Sequence, residues 1–348
     1  MQLLENTVIE EFTALEIHEN YGTHHTMVLS VPSPNIKGEK GMTLEQAAKL
    51  IGEPVEVTLT NVLDKDAPKH ELKMLVTNIQ TAQANNQTGI VFICQSPTYM
   101  LDAAPNFETL CDKNFDDIIK EVSKPLEAVN IKTKIKSTIK GTIPFVCRYN
   151  ETSFAFIKRM SAIYKQWFYF NGKELIVGEP ETGKSINIIQ NQNCQFLSMN
   201  MQLKNVSVNH YDYDPESHQF LEQPAAKEAG KLGLWGTQVF NKSQKLLSNQ
   251  ESYVYNPAVA NKEMIEAVAK ADTASRAAGM VRINGVTDIY ELKMCSLASI
   301  TYQNTPGQTD KMDIRIVQVT HRLHFSGDYE NEFIAIPAGV TAPPSMRF

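Results

Sequence analysis

The longest apolar runs of this 348-residue chain, such as residues 89–94, fall far short of the roughly 20 residues that cross a bilayer as a helix. The amino-terminal stretch MQLLENTVIEEF is acidic, where a secretory leader is basic and then apolar. Neither a membrane anchor nor a leader is expected. Clustered basic residues are also missing: 33 Lys and Arg against 39 Asp and Glu leave a net charge of −6 with no basic face. Nucleic acid is therefore not expected as a partner, because its binding depends on cations gathered against phosphates. Five cysteines, Cys94, Cys111, Cys147, Cys194 and Cys295, stand far apart without a CxxC pair, which predicts reduced core thiols in a cytoplasmic setting. GxSxG, HExxH and Cys-His signatures are absent. No residue is assigned a catalytic, cofactor-binding or metal-ligating role, and no cofactor is expected.

What the chain does contain is alternation. Residues 13–18, 26–31, 55–59, 71–79 and 89–94 carry the β-branched or period-two pattern of strands. Thr43 followed by Gln46 marks a capped short helix that stops near Gly52. From Leu101 the pattern changes to two amphipathic helices around a basic, strand-like segment at 129–139. One helix covers residues 115–122 with Asn114 as cap; the other opens at RYNETSF, with Asn150 or Thr152 as cap. An aromatic hairpin follows, residues 167–170 and 174–177 about Asn171-Gly172, and its ring cluster is expected to serve packing. Further strands are expected near Phe196, at 203–211, 288–292, 297–302, 312–322 and 329–336. They are interrupted by a polar connector and by an Ala-rich helix from Lys262 to Ala278 that Gly279 closes.

The blocks VEVTLTN, KHELKMLVTNIQ and TGIVFICQSP find an echo in LASITYQN, DKMDIRIVQVTHRL and YENEFIAIPAG. Leu59 to Ile300 is 241 positions, Thr77 to Thr320 is 243, and Phe92 to Phe333 is 241. Three strands in one order at one spacing imply a duplicated β domain.

Other motifs carry little chemistry. GEPETGKS, residues 178–185, matches the phosphate-loop pattern GxxxxGK[ST], which would set Lys184 on a terminal phosphate and Ser185 on magnesium. The following INIIQNQN is strand-like, so no helix amino terminus is there to hold an anion, and Glu179 and Glu181 stand where phosphates would. A nucleotide-dependent enzyme is a distant alternative, and a secreted hydrolase would need a catalytic acid or nucleophile in a cleft, for which no residue is a candidate. His24-His25 and His321/His324 lie at odd separations that point to opposite faces of a strand, so surface roles are expected and not metal binding. Asp116-Asp117 and Asp212-Asp214 read as helix capping and a strand-end turn.

The segment RYNETSFAFIKRMSAIYKQWFYFNGKELIVGEP resembles the signature region of the VgrG and phage tail-hub family, in which a Glu-Thr pair opens a helix and a hairpin follows. NVSVNHYDYDPESHQF, the Ala-rich helix before GVTDIYELKMCSLASITY, and VTHRLHFSGDYENEFIAIPAG resemble later parts of that family in the family's order, so the likeness covers roughly residues 10 to 340. The resemblance implies a mainly β (α+β) fold: two similar antiparallel β-barrel tube domains with smaller α/β insertions. The expected division is a first barrel at 1–100, an inserted α/β domain at 101–195, and a second barrel at 196–348 with a helical insertion at about 227–294. It implies a homotrimeric, non-enzymatic hub of a contractile injection machine, an adaptor between a hexameric Hcp-like tube and a puncturing spike. Spike-tip or effector proteins and baseplate proteins are the further partners it implies. Such a hub is assembled in the bacterial cytoplasm and then injected. A phage baseplate or an extracellular particle would use a similar part. In VgrG chains an OB-like domain and a β-helical spike follow this region; here the tail TAPPSMRF reads as a linker to such a part, or a separate chain supplies it.

Overall fold

The structure, a computed structural model, describes residues 2–3, 7–8, 12–32, 43–60, 68–84, 87–214, 218–248, 252–255 and 261–345. Its frame is one large sheet in which the same five-strand pattern occurs twice. In the first, β1 (Ala14–Asn20) and β2 (Thr26–Pro32) alternate half-buried and buried residues one by one, as a strand covered on one face must. They are followed by β3 (Pro54–Leu59), β4 (His70–Ala84) and β5 (Gln87–Gln95). Spatial order is β1-β2-β5-β4-β3, all antiparallel. Leu15, Ile17, Met27, Leu29, Val57, Met74 and Phe92 form its core. The short helix α1 (Leu44–Ala48) has the expected reciprocal cap between Thr43 and Gln46.

The second pattern is built from β6 (Cys194–Met201), β7 (Val281–Thr287), β8 (Leu297–Thr305), β9 (Gln308–His324) and β10 (Tyr329–Pro337). Its order, β6-β7-β10-β9-β8, is the same permutation. Both long strands carry a bulge at the same place, Thr77 between Val76 and Asn78, and Val317 between Ile316 and Gln318. A bulge bends its strand and is a feature of the fold rather than a defect. With the bulges superposed, Phe92 facing Ile79 corresponds to Phe333 facing Val319. The expected spacing is thus right for the phenylalanines. Tyr302, not Ile300, is the register partner of Leu59, and Val317, not Thr320, is that of Thr77. A slip of two residues keeps every side chain on its face, which is why letter matching slipped at Leu59; at Thr77 the slip is three residues, beside the bulge. The two patterns join where β9 pairs with β1, from Gln318↔Asn20 to His324↔Ala14.

Between the two lies an α/β unit. Helix α2 (Phe115–Val122) is capped by Asn114, and α3 (Ser153–Ile163) by Thr152. The hairpin Trp167–Phe170/Leu175–Gly178, with Thr133–Lys136 parallel to it, is buried on both faces. Phe168 and Phe170 enter the core of α2 and α3, whereas Trp167 and Tyr169 enter a second one with Ala274, Met280 and Ile336. At its tip Gly172 holds φ +97°, and a Cβ there would lie 2.7 Å from the Glu71 carbonyl oxygen. That close approach lets the Gly172 carbonyl accept from Lys73 N–H at 2.8 Å, tying the hairpin to β4.

The chain between β6 and β7 holds α4 (Gly233–Leu247) and α5 (Lys262–Ala278), the latter with the bounds expected. Several expectations are corrected. The connector before α5 contains α4, hidden by Gly233, Gly236, Thr237 and Val239, all poor helix formers, and by the lack of a side-chain cap. Gly236 is required, since a Cβ would lie 2.7 Å from that of Leu232. Residues 288–292 form turns, not a strand; the strand lies just before them, in β7. In the expected strand at 203–211, only the part from Val208 is extended in a sheet, and Asn106–Asn114 paired with Thr142–Glu151 was not foreseen. Cys94, Cys194 and Cys295 are core thiols, but Cys111 is exposed and Cys147 half-buried. The middle of AQANNQTG, expected from its turn-rich composition to join two strands, and the end of the tail fall outside the described residues.

Candidate functional site

Two regions have the make-up of sites. The first is the seam where the two patterns meet. On β1 the inward positions are Leu15, Ile17 and then Glu19, so the strand's own alternation drives a carboxylate into the interior. Glu19 and His25 are 0% exposed, His70 and His321 2%. Glu19 Oε1 stands 2.8 Å from His70 Nε2 and 3.3 Å from His321 Nε2, and Oε2 is 3.9 Å from His25 Nδ1. Oε2 also accepts the Met294 amide at 3.1 Å. His321 reaches Glu19 because β9 sets it diagonally opposite on β1, while His70 comes from the first residue of β4.

Burial alone would push the Glu19 carboxyl up; His70, His321 and His25 outweigh it and hold it well below the usual carboxylate range. Burial pulls His25 down to about 4, against the pull of Glu19. His321 is lowered by the same desolvation, partly offset by Glu19. His25 and His321 therefore do not lie on the surface as expected. The signal available in the sequence was Glu19 at an inward parity of an apolar strand, a position a carboxylate occupies only with partners. His24 is largely covered as well, with Nε2 2.8 Å from Asp102 Oδ2 and Nδ1 2.8 Å from Thr98 Oγ1. Asp102 in turn meets Thr152, the cap of α3. His324 is exposed, as expected.

The second region is the pair of open sheet edges. Among the described residues, β6 beyond its first residue, Cys194, which bridges Gln190, has a neighbour on one side only, and the half of β4 beyond Val76 has none on its β3 side. Phe196 and Met201 are exposed on β6. Nearby sheets also present apolar rings to solvent: Phe107 against Tyr149, Tyr213 against Phe220, and Tyr253. Exposed edges beside apolar side chains suit pairing with another chain.

The remaining motifs have structural employment. In GEPETGKS, Glu179 pairs with Lys136 and Glu181 with Lys134, and Ile186–Ile189 is a strand beside β8, so no helix begins at Lys184. The WFYF cluster is core. Asp116 receives the Ser137 hydroxyl, and Asn114 caps the helix through the Asp117 amide. Asp212 is buried with the Tyr213 amide on its Oδ1 at 2.8 Å, and residues 215–217 of the expected turn lie outside the described residues.

No curated protein matches the chain in sequence. Among solved structures, a tail protein from Neisseria meningitidis superposes with TM-score 0.67 at 9% identity, covering 99% of this chain and 97% of that one. An Escherichia coli component of the type VI secretion system, described as similar to T4 bacteriophage tail proteins, gives 0.64 at 12% identity, over 99% and 80%. The 43 kDa tail protein of prophage MuSo2 from Shewanella oneidensis gives 0.60 at 9%, over 95% of each chain. These likenesses establish the mainly β tail-protein fold. Residues 39–327 match the phage tail baseplate hub (GPD) family, most of the chain. The chain thus belongs to the phage tail baseplate hub family and is a structural hub component of a contractile injection machine.

Proposed function

We propose that three copies of this chain close into a ring that adapts a hexameric, Hcp-like tube to a puncturing spike, acting through shape and not as an enzyme. The carrying observation is the doubled five-strand pattern with its two unpaired edges. Within one chain, β1 of the first pattern pairs with β9 of the second. The equivalent junction joins β6 of the second pattern to the outer half of β4, and both partners of that junction are open edges. Pairing β6 of one chain with β4 of the next repeats the internal junction, so threefold symmetry presents six similar patterns to a sixfold tube. Register equivalence sets Met201 of one chain opposite Ile79 of its neighbour, as Glu19 stands opposite Val319 within a chain.

In this reading the chain divides into a first barrel at 1–100, an α/β unit at 101–195 and a second barrel at 196–348 that carries the helices α4 and α5. The hub meets spike-tip, effector and baseplate proteins, is assembled in the bacterial cytoplasm, and leaves with the injected spike. The test is a pair of cysteines, Ile79→Cys with Met201→Cys, since directly opposed strand residues approach within disulfide reach. Oxidation is expected to give covalent trimers on a denaturing gel, with each single variant giving none. A trimer by light scattering without the crosslink refutes the β4–β6 junction; a strict monomer at high concentration, with no co-sedimentation with the tube protein, refutes the adaptor itself.

A further inference from the structure

We infer that the seam between the two patterns is a binding site for one divalent transition-metal ion of the Zn2+ class, held by Glu19, His70 and His321. The inference is independent of trimer formation. It starts from His70, whose Nδ1 lies 3.2 Å from the Tyr290 carbonyl oxygen. A carbonyl only accepts, so Nδ1 carries a proton and Nε2 is the nitrogen turned toward Glu19 Oε1, at 2.8 Å. Carboxylate and imidazole thus converge in a place without solvent. Glu19 Oε1, His70 Nε2 and His321 Nε2 are all fully buried, and none has a partner in hydrogen-bond alignment. Such a convergence holds a cation, either a proton on an imidazole or a metal ion.

The dimensions and ligand chemistry fit an ion. The three ligand atoms lie within 4.8 Å of one another, and Oε1 is 2.8 and 3.3 Å from the two nitrogens. A tetrahedral ion with bonds of about 2.0–2.1 Å separates its ligand atoms by roughly 3.3 Å, a spacing that Glu19 Oε1 and His321 Nε2 already have, while Oε1 and His70 Nε2 at 2.8 Å need to open to reach it. Two imidazoles and one carboxylate suit zinc and its first-row neighbours, not the oxygen-seeking magnesium or calcium.

The surroundings have the build of a metal site's outer layer. The Tyr290 carbonyl fixes the tautomer of His70. Tyr329 hydroxyl meets His321 Nδ1 at 2.7 Å and is itself held by Asn331 Nδ2 at 3.0 Å. Asn331 is anchored to the Ile289 carbonyl and the Thr287 hydroxyl. Ligating histidines are oriented through their second nitrogen in this way. His25, whose two ring nitrogens are also unpartnered, faces the other oxygen of Glu19 as a further group at the site. Because Glu19 and His70 come from the first pattern and His321 from the second, an ion here would staple the two together.

The test uses the whole chain purified without chelator. Elemental analysis is expected to find about one transition-metal ion per chain. Chelation should lower the unfolding midpoint and added Zn2+ restore it. In the stripped protein Co2+ should give the visible absorption of a low-coordinate site, bleached by Zn2+. Tyr329→Phe keeps all three ligands and is expected to weaken Zn2+ by about 10–100-fold; Glu19→Gln should abolish the Co2+ bands. A His218→Ala/His324→Ala variant, which removes exposed histidines, should bind unchanged. If Glu19→Gln does not fold, the wild-type Co2+ spectrum and Tyr329→Phe still decide. Absence of any stoichiometric ion together with no Zn2+ effect on the midpoint would overturn the site, leaving a protonated histidine–carboxylate network. Binding that survives Tyr329→Phe undiminished but is lost with the exposed histidines would overturn it equally.

Discussion

The two five-strand patterns share order, direction and bulge, yet differ in what fills equivalent places. The first runs almost uninterrupted from β1 to β5, whereas the second admits the whole of α4 and α5 between its first two strands. Strand pairing fixes the frame, and a connection at a sheet's rim lengthens at little cost, since loop-closure entropy grows only with the logarithm of length. Chemistry diverges more sharply. By register, Glu19 corresponds to Met201, His25 to Val281, His70 to Asp310 and His321 to Thr81. The carboxylate–histidine set exists once, at the junction made inside the chain; its counterparts, Met201, Val281, Asp310 and Thr81, include no histidine. A junction made inside one chain can hold buried charge because its partners never separate.

The sharpest way to break this comparison is to treat the two places alike. Glu19→Leu leaves three buried imidazoles without their carboxylate and is expected to cost about 3–5 kcal/mol, the usual toll of breaking a buried charged set. Met201→Leu, at the equivalent place, should cost under about 1.5 kcal/mol. Urea unfolding of the two variants side by side checks the difference, and equal losses would remove the seam's special standing.

A finer comparison concerns the rings. Phe92 stands opposite Leu29, and Phe333 opposite Gly285. Leu29→Ala opens a cavity and is expected to cost about 2–5 kcal/mol. At Gly285 a Cβ would lie 2.5 Å from the Phe333 ring, so Gly285→Ala overfills and should cost about 1–3 kcal/mol. Opposite changes of volume thus destabilise at equivalent positions, and thermal unfolding of each variant measures it. If Gly285→Ala were neutral, the two cores would be packed to the same looseness, and the glycine would have no steric cause.

Much of this frame was legible. The strands of the first pattern, the caps at Thr43, Asn114 and Thr152, and the bounds of α5 all follow from local rules, because propensity, capping and periodicity agree in those segments. The helix α4 was not, since its glycines and β-branched residues oppose the helix and only packing against the sheet, including Trp235 Nε1–H donating to Tyr302 at 2.7 Å, holds it. Nor was the seam: His70, His321 and Glu19 are far apart in sequence, and while the β1–β9 pairing brings His321 to Glu19, His70 reaches them from β4. Parity arguments compare neighbours on one strand, and this cluster draws one residue from each of three.

The smallest expected effect is a pH dependence confined to the seam. His25 faces Glu19, His70, His24 and His321, and burial brings it down to about 4, below its ordinary 6.5. Between those values the unfolded chain binds a proton that the folded chain refuses, so stability rises with pH and is lost as pH falls below about 6.5. From pH 7 to 5.5 this one group should remove about 1 kcal/mol. His321, also lowered, acts in the same direction. Glu19, held low, adds its loss only below the ordinary carboxylate range. The equivalent of His25 is Val281, so the second pattern contributes nothing at that place. Denaturant midpoints of the chelator-treated protein across this range, compared with those of His25→Phe treated alike, isolate the effect: the variant should flatten the curve, and an unchanged slope would mean that His25 titrates in the folded chain as it does in the unfolded one.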